Sequence, residues 1–190
     1  MIYRIVNMDE YPCRKDALQK HFDKVHFDRI MKHKQSFCGY NLAVDMLEKI
    51  IGDDFHISFE KSGRPYIAHE QIYFSTSHSN NYVACVIDKY CCGIDIESKR
   101  EISQRLINKM MSESEQKWIY GNIEGYDKDT AFLILWTMKE AYLKTQSFNT
   151  VLDVKKIDFV SGGALISDRE NMKCKTVIDD DLILSMWHCE

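Results

Sequence analysis

Asp95 and Glu97 stand two residues apart in this 190-residue sequence, in the stretch Cys91–Glu97. In an extended strand, alternate side chains point to opposite faces, so both carboxylates project from one face while the isoleucines between them enter a core. Two like charges that close repel each other unless they are protonated, solvated or held by a cation. Taken alone, the stretch therefore fits a solvated acidic edge as well as a metal site.

A predicted helix from Thr130 to Lys144 offers a third carboxylate. Trp136, Glu140 and Lys144 are spaced i, i+4, i+8 and lie along one helical face. An exposed Glu–Lys pair beneath a packing tryptophan is the structural alternative. Joined to the paired acids of the strand, Glu140 completes an oxygen-ligand set suited to Mg²⁺, with the lysine balancing phosphate charge. The set indicates metal-assisted transfer at a phosphorus centre.

Candidate phosphate ligands occur in the first half of the chain. Ser77 and His78 follow a predicted strand and have hydrogen-bond donors for phosphate oxygens, although a satisfied loop histidine fits as well. Lys20 and Lys24 lie at i, i+4 in a helix predicted over 13–25 and would form an anion site on one face. A solvated helix face explains the same basic residues.

The elements that must position these residues follow from hydrophobic periodicity. A buried stripe at 3–4-residue spacing predicts a long helix that ends at Gly52, and alternating residues predict strands near 55–59, 72–75, 82–87, 174–178 and 182–187. Ser112-Glu113-Ser114-Glu115 has the form of a capping box, a structural role that competes with catalysis by Glu115. The two halves of the chain show a similar order of strands and Gly turns.

Composition narrows the class of protein. A hydrophobic content of 45% with 28% charged residues predicts a globular protein, and a net charge of -4 argues against a general nucleic-acid binder. No apolar run reaches membrane-spanning length and the first residues lack a signal-peptide core, so we expect a cytoplasmic protein with no membrane contact. The seven cysteines lack a C-x-x-C spacing and are expected to be reduced, mostly as small hydrophobic residues.

Four motifs together resemble the signature of the 4′-phosphopantetheinyl transferases. Gly93–Glu97 followed by Trp136–Lys144 looks like the paired motif of that family. Gly63–Tyr66 and Phe74–Ser79 resemble two further motifs upstream, in the same order. The chain length and the two similar halves resemble the Sfp-type class more than the short, trimeric holo-acyl-carrier-protein synthases.

The resemblance implies an α+β fold built as a pseudo-dimer. Each half would contain a small, mainly antiparallel sheet packed on helices. The N-terminal subdomain would cover residues 1–98 and the C-terminal subdomain residues 99–190, with one active-site cleft shared between them. The protein is then expected to be a monomer.

The implied activity is a holo-[acyl-carrier-protein] synthase reaction. The 4′-phosphopantetheine moiety of coenzyme A passes to a serine of an apo acyl or peptidyl carrier protein, and 3′,5′-ADP is released. Such carriers serve fatty-acid, polyketide and nonribosomal-peptide biosynthesis. By the resemblance, Asp95, Glu97 and Glu140 would bind Mg²⁺, Glu140 would be the general base, and Lys144 would stabilise the pyrophosphate. Glu115 falls where some members have an additional acid.

The resemblance also implies a set of residues that contact coenzyme A. Arg64 takes the place of a lysine that is commoner in the family's Gly-Lys-Pro motif, near the adenosine end, and arginine keeps the charge while changing donor geometry. The full set is Lys20, Ser36, Arg64, Ser77 and His78.

Two other functions use some of the same residues. A different Mg²⁺-dependent phosphoester enzyme, such as a hydrolase, would use the acids with an activated water. A non-catalytic module that binds coenzyme A or a carrier protein would use the binding residues without the chemistry. The stretch Trp136–Lys144 gives the hydrolase no support, and the presence of all three acids and Lys144 argues against the binding module.

Overall fold

The computed structural model describes residues 1–61, 63–67, 70–121, 125–146 and 154–189. The first half contains β1 (Ile2–Asn7), α1 (Lys15–His21), α2 (Lys24–Ile30), α3 (Lys34–Ile51), β2 (Ile57–Phe59), β3 (Pro65–Ile67), β4 (Tyr73–Ser79), β5 (Tyr82–Asp88) and β6 (Cys92–Ser98). The second half contains α4 (Gln104–Met110), α5 (Glu113–Gly121), α6 (Lys128–Leu143), a 3₁₀ turn (Val154–Lys156), β7 (Val160–Ser161), β8 (Ala164–Leu165), β9 (Asp168–Arg169), β10 (Met172–Ile178) and β11 (Leu182–Cys189).

Two antiparallel sheets organise the chain. One has the order β1-β5-β4 and the other β6-β11-β10-β9, while β2-β3 and β7-β8 form short two-stranded pairs. The expected α+β class, with antiparallel sheets packed on helices, is confirmed. The pseudo-dimer and the subdomain boundary at residue 98 stay predictions. Strand β6 pairs with β11, so the second sheet already begins in a strand that precedes this boundary.

The apolar stripe in the sequence correctly predicts helix α3 and its buried face. Val44 and Leu47 are fully buried, as the 3–4-residue spacing predicted, and Gly52 closes the helix with a φ of 80°. A positive φ is the conformation that glycine adopts without strain, which explains why the helix ends there. The helix packs on β4 and β5 and forms one wall of the cleft described below.

The helix predicted over residues 13–25 is wrong, because the chain breaks at Phe22 and Asp23. Phe22 is extended and buried, and it forms a parallel bridge with Ile57. The Asp23 side chain then caps α2 by accepting from the backbone N–H of His26. Lys20 therefore lies in the last turn of one helix and Lys24 begins the next, so they do not share an i, i+4 face.

Strand β4 extends further than the sequence predicted. Its pairing with β5 continues through Ser77, His78 and Ser79, and the turn falls at Asn80, which has a φ of 48°. Asparagine tolerates this left-handed conformation better than most residues. The serines are therefore strand residues whose side chains alternate, rather than loop residues.

The two sheets meet where β4 lies beside β6. Ser75 Oγ accepts from the Ile94 N–H at 3.4 Å, and Ser79 Oγ accepts from the Ser98 N–H at 2.9 Å. Side chains from β5, β6 and β11 fill a small core beneath this contact, and Ile94 and Ile96 are buried there as predicted. The two sheets are not joined by strand pairing at this place, and serine side chains connect them instead.

The described residues include no helix with both the length and the apolar character needed to cross a membrane. All seven cysteines are free thiols. Cys38, Cys85 and Cys92 are buried and the other four are partly exposed. The expectation of small buried residues therefore holds for three of the seven.

Candidate active site

Helix α6 carries three of the residues singled out in the sequence. Asp127 caps it by accepting from the backbone N–H groups of Asp129 and Thr130, as expected for an aspartate in this position. Lys144 is the C-terminal cap residue. The helix lies so close to β6 that a Cβ at Gly93 would overlap the Ala141 carbonyl oxygen. This approach places the helix against the two acids of the strand.

Lys144 links the helix to both sheets. Its ammonium donates to Asp95 Oδ1 and to the Ile94 carbonyl oxygen, each at 2.9 Å, and to the Thr76 carbonyl oxygen at 3.4 Å. Ser77 Oγ also donates to Asp95 Oδ1, at 2.7 Å. Asp95 is only 7% exposed, and this burial raises the pKa of its carboxyl, while Lys144 and Ser77 oppose the shift.

Glu97 receives hydrogen bonds on both carboxylate oxygens. Trp136 Nε1 donates to Oε1 at 3.1 Å, and Ser79 Oγ donates to Oε2 at 3.1 Å. Arg100, three residues further on, donates to Oε2 at 2.6 Å from a partly exposed position. Asp95 and Glu97 thus each accept a hydrogen bond from α6 or its cap residue, Lys144 to Asp95 and Trp136 to Glu97.

Glu140 lies one helical turn from both Trp136 and Lys144 and differs from the other two acids. Among the described residues, no hydrogen bond or ion pair engages its half-buried carboxylate. Burial raises the pKa of Glu140, Asp95 and then Glu97 add to the shift, and Lys144 opposes it. Asp95 and Glu97 therefore lie close enough to Glu140 for their charges to disfavour its ionised form.

The three acids match a divalent cation in chemistry but not as a preformed cluster. Within the described ranges, no three His, Cys, Asp or Glu side chains converge into a preformed metal cluster. In donor type and charge the three acids fit a hard cation, because Glu140 is a half-buried carboxylate that has no partner among the described residues and has a raised pKa beside two other acids. A cation among them would favour the charged carboxylate of Glu140, and so oppose both the burial and the repulsion by Asp95 and Glu97 that raise its pKa.

Three cavities that share lining residues lie beside the site, and of the three acids Asp95 lines one of them. One of about 390 Å³ is lined by Asp95 and Lys144, one of about 300 Å³ by Arg64 and Lys144, and one of about 260 Å³ by basic side chains of α2 and the loop after it. Tyr40 lines all three, and burial raises its pKa to about 12. We call these three cavities together the cleft.

Most of the predicted coenzyme A contacts line the cleft. Ser77 and His78 lie in the cavity beside Asp95, which Ser36 also lines. Partial burial and then the nearby Lys144 lower the pKa of His78, so its imidazole favours the neutral form. Arg64 lines the next cavity, where its guanidinium lies 5.2 Å from the Tyr73 ring centroid.

Lys20 and Glu115 lie elsewhere. Lys20 is an exposed residue whose ammonium pairs with Asp53 at 2.5 Å, and it lines none of the three cavities of the cleft. Glu115 is fully buried and pairs with Lys139 at 2.6 Å. It also accepts from the Ser112 N–H at 2.9 Å, while the Ser112 hydroxyl accepts from the Glu115 N–H, so the capping box is confirmed.

The sequence did not single out Ser79 or assign Tyr40 to a site. Ser79 belongs to a row of serines that alternates along β4, and this spacing is visible in the sequence. Tyr40 falls in the apolar stripe of α3, a pattern that indicates core packing. Its position at the junction of three cavities depends on how α3 packs against β4, which periodicity does not define.

Comparisons with known proteins identify similar chains. Residues 91–180 match the family model of the 4′-phosphopantetheinyl transferase superfamily. The 4′-phosphopantetheinyl transferase gsp of Aneurinibacillus migulanus is 34% identical over 146 residues, which are 68% of this chain and 61% of the relative. The 4′-phosphopantetheinyl transferase Sfp of Bacillus subtilis (strain 168) is 33% identical over 97 residues, which are 49% of this chain and 42% of the relative. The matches thus span about two fifths to three fifths of these relatives.

Proposed function

Because the chain belongs to the 4′-phosphopantetheinyl transferase superfamily, we propose that it transfers 4′-phosphopantetheine from coenzyme A to a serine of an apo carrier protein. The products are the holo carrier protein and 3′,5′-ADP. The observation that carries the proposal is the half-buried carboxylate of Glu140, which has no hydrogen-bond or ion-pair partner among the described residues and is influenced by the charges of Asp95, Lys144 and Glu97. Asp95 and Lys144 in turn line the cleft.

Each acid has a distinct part in this reaction. Asp95, Glu97 and Glu140 would hold Mg²⁺, which when bound supplies positive charge to the pyrophosphate and polarises the phosphorus centre. Glu140 accepts the proton of the carrier serine, directly or through a water. The raised pKa makes Glu140 a stronger base than an ordinary carboxylate. No hydrogen bond from the described residues has to break before its carboxylate can accept a proton.

The rest of the cleft supports coenzyme A. Lys144 holds Asp95 in place and presents positive charge to the pyrophosphate and to the leaving 3′,5′-ADP. Ser36, Ser77 and His78 line the cavity next to it, and Arg64 lines the adjoining one. Basic side chains line the far cavity, which suits the additional phosphate of coenzyme A: His26, Arg29 and His33. Lys20 is left out of this assignment because it lies outside the cleft.

The proposal includes the setting of the reaction. The substrates are apo acyl or peptidyl carrier proteins of fatty-acid, polyketide or nonribosomal-peptide biosynthesis. The enzyme acts as a cytoplasmic monomer, and its two halves, 1–98 and 99–190, share the cleft as a pseudo-dimer. Glu115 serves the fold rather than the metal, since its carboxylate is occupied by Lys139 and by the capping box.

A mass measurement tests the transfer directly. The chain is incubated with Mg²⁺, coenzyme A and an apo carrier protein, and the carrier is then weighed. We expect a gain of one phosphopantetheine, which is lost with Glu140→Gln or with a chelator. The matched control is Glu10→Gln, which changes an exposed acid in the first half and should leave the gain intact.

Other outcomes would favour the alternatives. No gain in mass across fatty-acid, polyketide and peptide-synthetase carriers, with coenzyme A still bound, would contradict the transferase and favour a binding module. Cleavage of coenzyme A without modification of any carrier would favour a hydrolase.

A further inference from the structure

Glu97 accepts hydrogen bonds from two different elements, one on each carboxylate oxygen. The indole N–H of Trp136, on α6, meets one carboxylate oxygen at 3.1 Å. The hydroxyl of Ser79, on β4, meets the other at 3.1 Å. Glu97 is therefore held by hydrogen bonds from both the first sheet and helix α6.

The number of donors and acceptors on each group determines the direction of the Ser79–Glu97 and Trp136–Glu97 hydrogen bonds. The Ser79 oxygen accepts from the backbone N–H of Ser98 at 2.9 Å, which leaves its single proton for Glu97. An indole nitrogen can only donate, so Trp136 also requires Glu97 to accept. Both donors thus hold the carboxylate as an acceptor in one orientation. Ser79 is 9% exposed, so water competes little for its bond.

Arg100 acts differently on the same acid. Its side chain is 46% exposed and comes from the segment directly after β6. Exposed arginines hold a partner loosely, because the side chain loses entropy in the pair and salt screens the charge. Arg100 therefore adds charge near Glu97, while Ser79 and Trp136 determine its geometry.

We propose that Ser79 and Trp136 are positioning residues that fix Glu97 as a ligand for the divalent cation. The inference rests on the proposed function, because it concerns the metal site of that reaction. Carboxylates that bind metals are usually held by hydrogen bonds of this kind, and loss of such a partner weakens metal affinity roughly 10- to 100-fold. Here the two partners come from separate parts of the chain, so metal affinity depends on the contact between the sheets.

The chain contains a matched control for each residue. Ser98 Oγ and Trp118 Nε1 are buried polar atoms without a hydrogen-bond partner in the part of the chain that the structure describes. Ser98 lies beside Ser79 on the neighbouring strand, and Trp118 lies in the core of the second half. Ser98→Ala and Trp118→Phe remove the same chemical groups as Ser79→Ala and Trp136→Phe without removing a bond to Glu97.

Binding of Mn²⁺, measured by electron paramagnetic resonance with and without coenzyme A, tests the inference. We expect affinity to fall roughly tenfold in Ser79→Ala and in Trp136→Phe, and to stay within about twofold of wild type in both controls. Binding of coenzyme A in the presence of chelator should be unchanged in all four variants. Metal-dependent changes in tryptophan fluorescence should disappear in Trp136→Phe and persist in Trp118→Phe.

The outcomes separate this inference from the proposed function. Wild-type affinity for Mn²⁺ in both folded variants would overturn the inference and leave the transferase in place. An equal loss in the controls would also overturn it, because general repacking would then explain the effect. If the wild-type chain binds no Mn²⁺, the metal site of the proposed function fails and the inference fails with it. If the Ser79→Ala variant does not fold, the Mn²⁺ affinity of Trp136→Phe tests the inference by itself.

Discussion

At Gly93, strand β6 and helix α6 lie in close contact within the candidate site. A Cβ at this position would overlap the Ala141 carbonyl oxygen and lie 3.0 Å from a methyl group of Thr145. Backbone cannot yield as a flexible side chain does, so any other residue would push α6 away from β6. The same helix carries Lys144, whose bond to Asp95 is 2.9 Å long. Gly93 therefore sets the distance over which the site residues interact.

Substitution of Gly93 by alanine should damage both the fold and the site. Overpacking of this kind typically costs about 1–3 kcal/mol, and the displaced helix would weaken the contacts of Lys144 and Trp136 with the strand. We expect a lower midpoint in denaturant titration and a loss of carrier modification. Gly39→Ala is the control for stability, since its Cβ would make an ordinary 3.7 Å contact with Thr76 and alanine favours the helix. Equal stability of Gly93→Ala and wild type would contradict the argument.

Helix α6 is the element that the sequence predicted best. Its capping aspartate, its length and its face of Trp136, Glu140 and Lys144 all depend on local spacing. The helix over residues 13–25 failed because Phe22 leaves the helix for a bridge with Ile57, a contact distant in sequence. The extent of β4 was missed for a similar reason, since its partner strand decides where the turn falls. Local sequence patterns thus predicted α6 correctly, and they failed at residues 13–25 and in β4, where contacts with residues distant in sequence decide the structure.

The cap of α6 predicts how stability depends on pH. The backbone N–H of Thr130 holds the pKa of Asp127 below its usual value, and the Thr130 hydroxyl and the Asp129 N–H add to this effect. A lowered folded-state pKa gives stability that is present above the unfolded value of about 3.9 and is lost as the pH falls through the folded-state value. Asp127→Ala should cost about 1 kcal/mol at neutral pH.

The substitution Asp127→Asn distinguishes the effect of the Asp127 charge on stability from the effect of its capping hydrogen bonds. Asp127→Asn keeps an oxygen acceptor for the helix N–H groups, so most of the stability at neutral pH should remain. The loss of stability on acidification should be smaller than in wild type, because this group no longer titrates. Urea unfolding at several pH values measures both effects. An unchanged acid dependence in Asp127→Asn would show that the Asp127 charge does not contribute.

At the scale of the whole molecule, the site depends on strands that lie far apart in the sequence. Asp95 and Glu97 lie on β6, which pairs with β11 at the other end of the chain, while their serine partners belong to β4 of the first sheet. The sequence indicated which residues carry chemistry, through their types and local spacing. The strand pairing and the contact between the sheets decided which of them meet. Lys20 and Glu115 failed to join the cleft for this reason.

Ligand binding should therefore stabilise the chain as a whole. The cleft is lined by α3, β3 and β4 from the first half and by the end of α6 from the second, so coenzyme A bound there contacts both. A ligand at a hundred times its Kd adds about 2.7 kcal/mol, and for a chain of this size each kcal/mol raises Tm by about 2–4 °C. We expect coenzyme A with Mg²⁺ to raise Tm as a single transition, and a chelator to reduce the shift. Asp95→Asn should lose the Mg²⁺-dependent part of it. A shift confined to one of two separate transitions would contradict a cleft that both halves share.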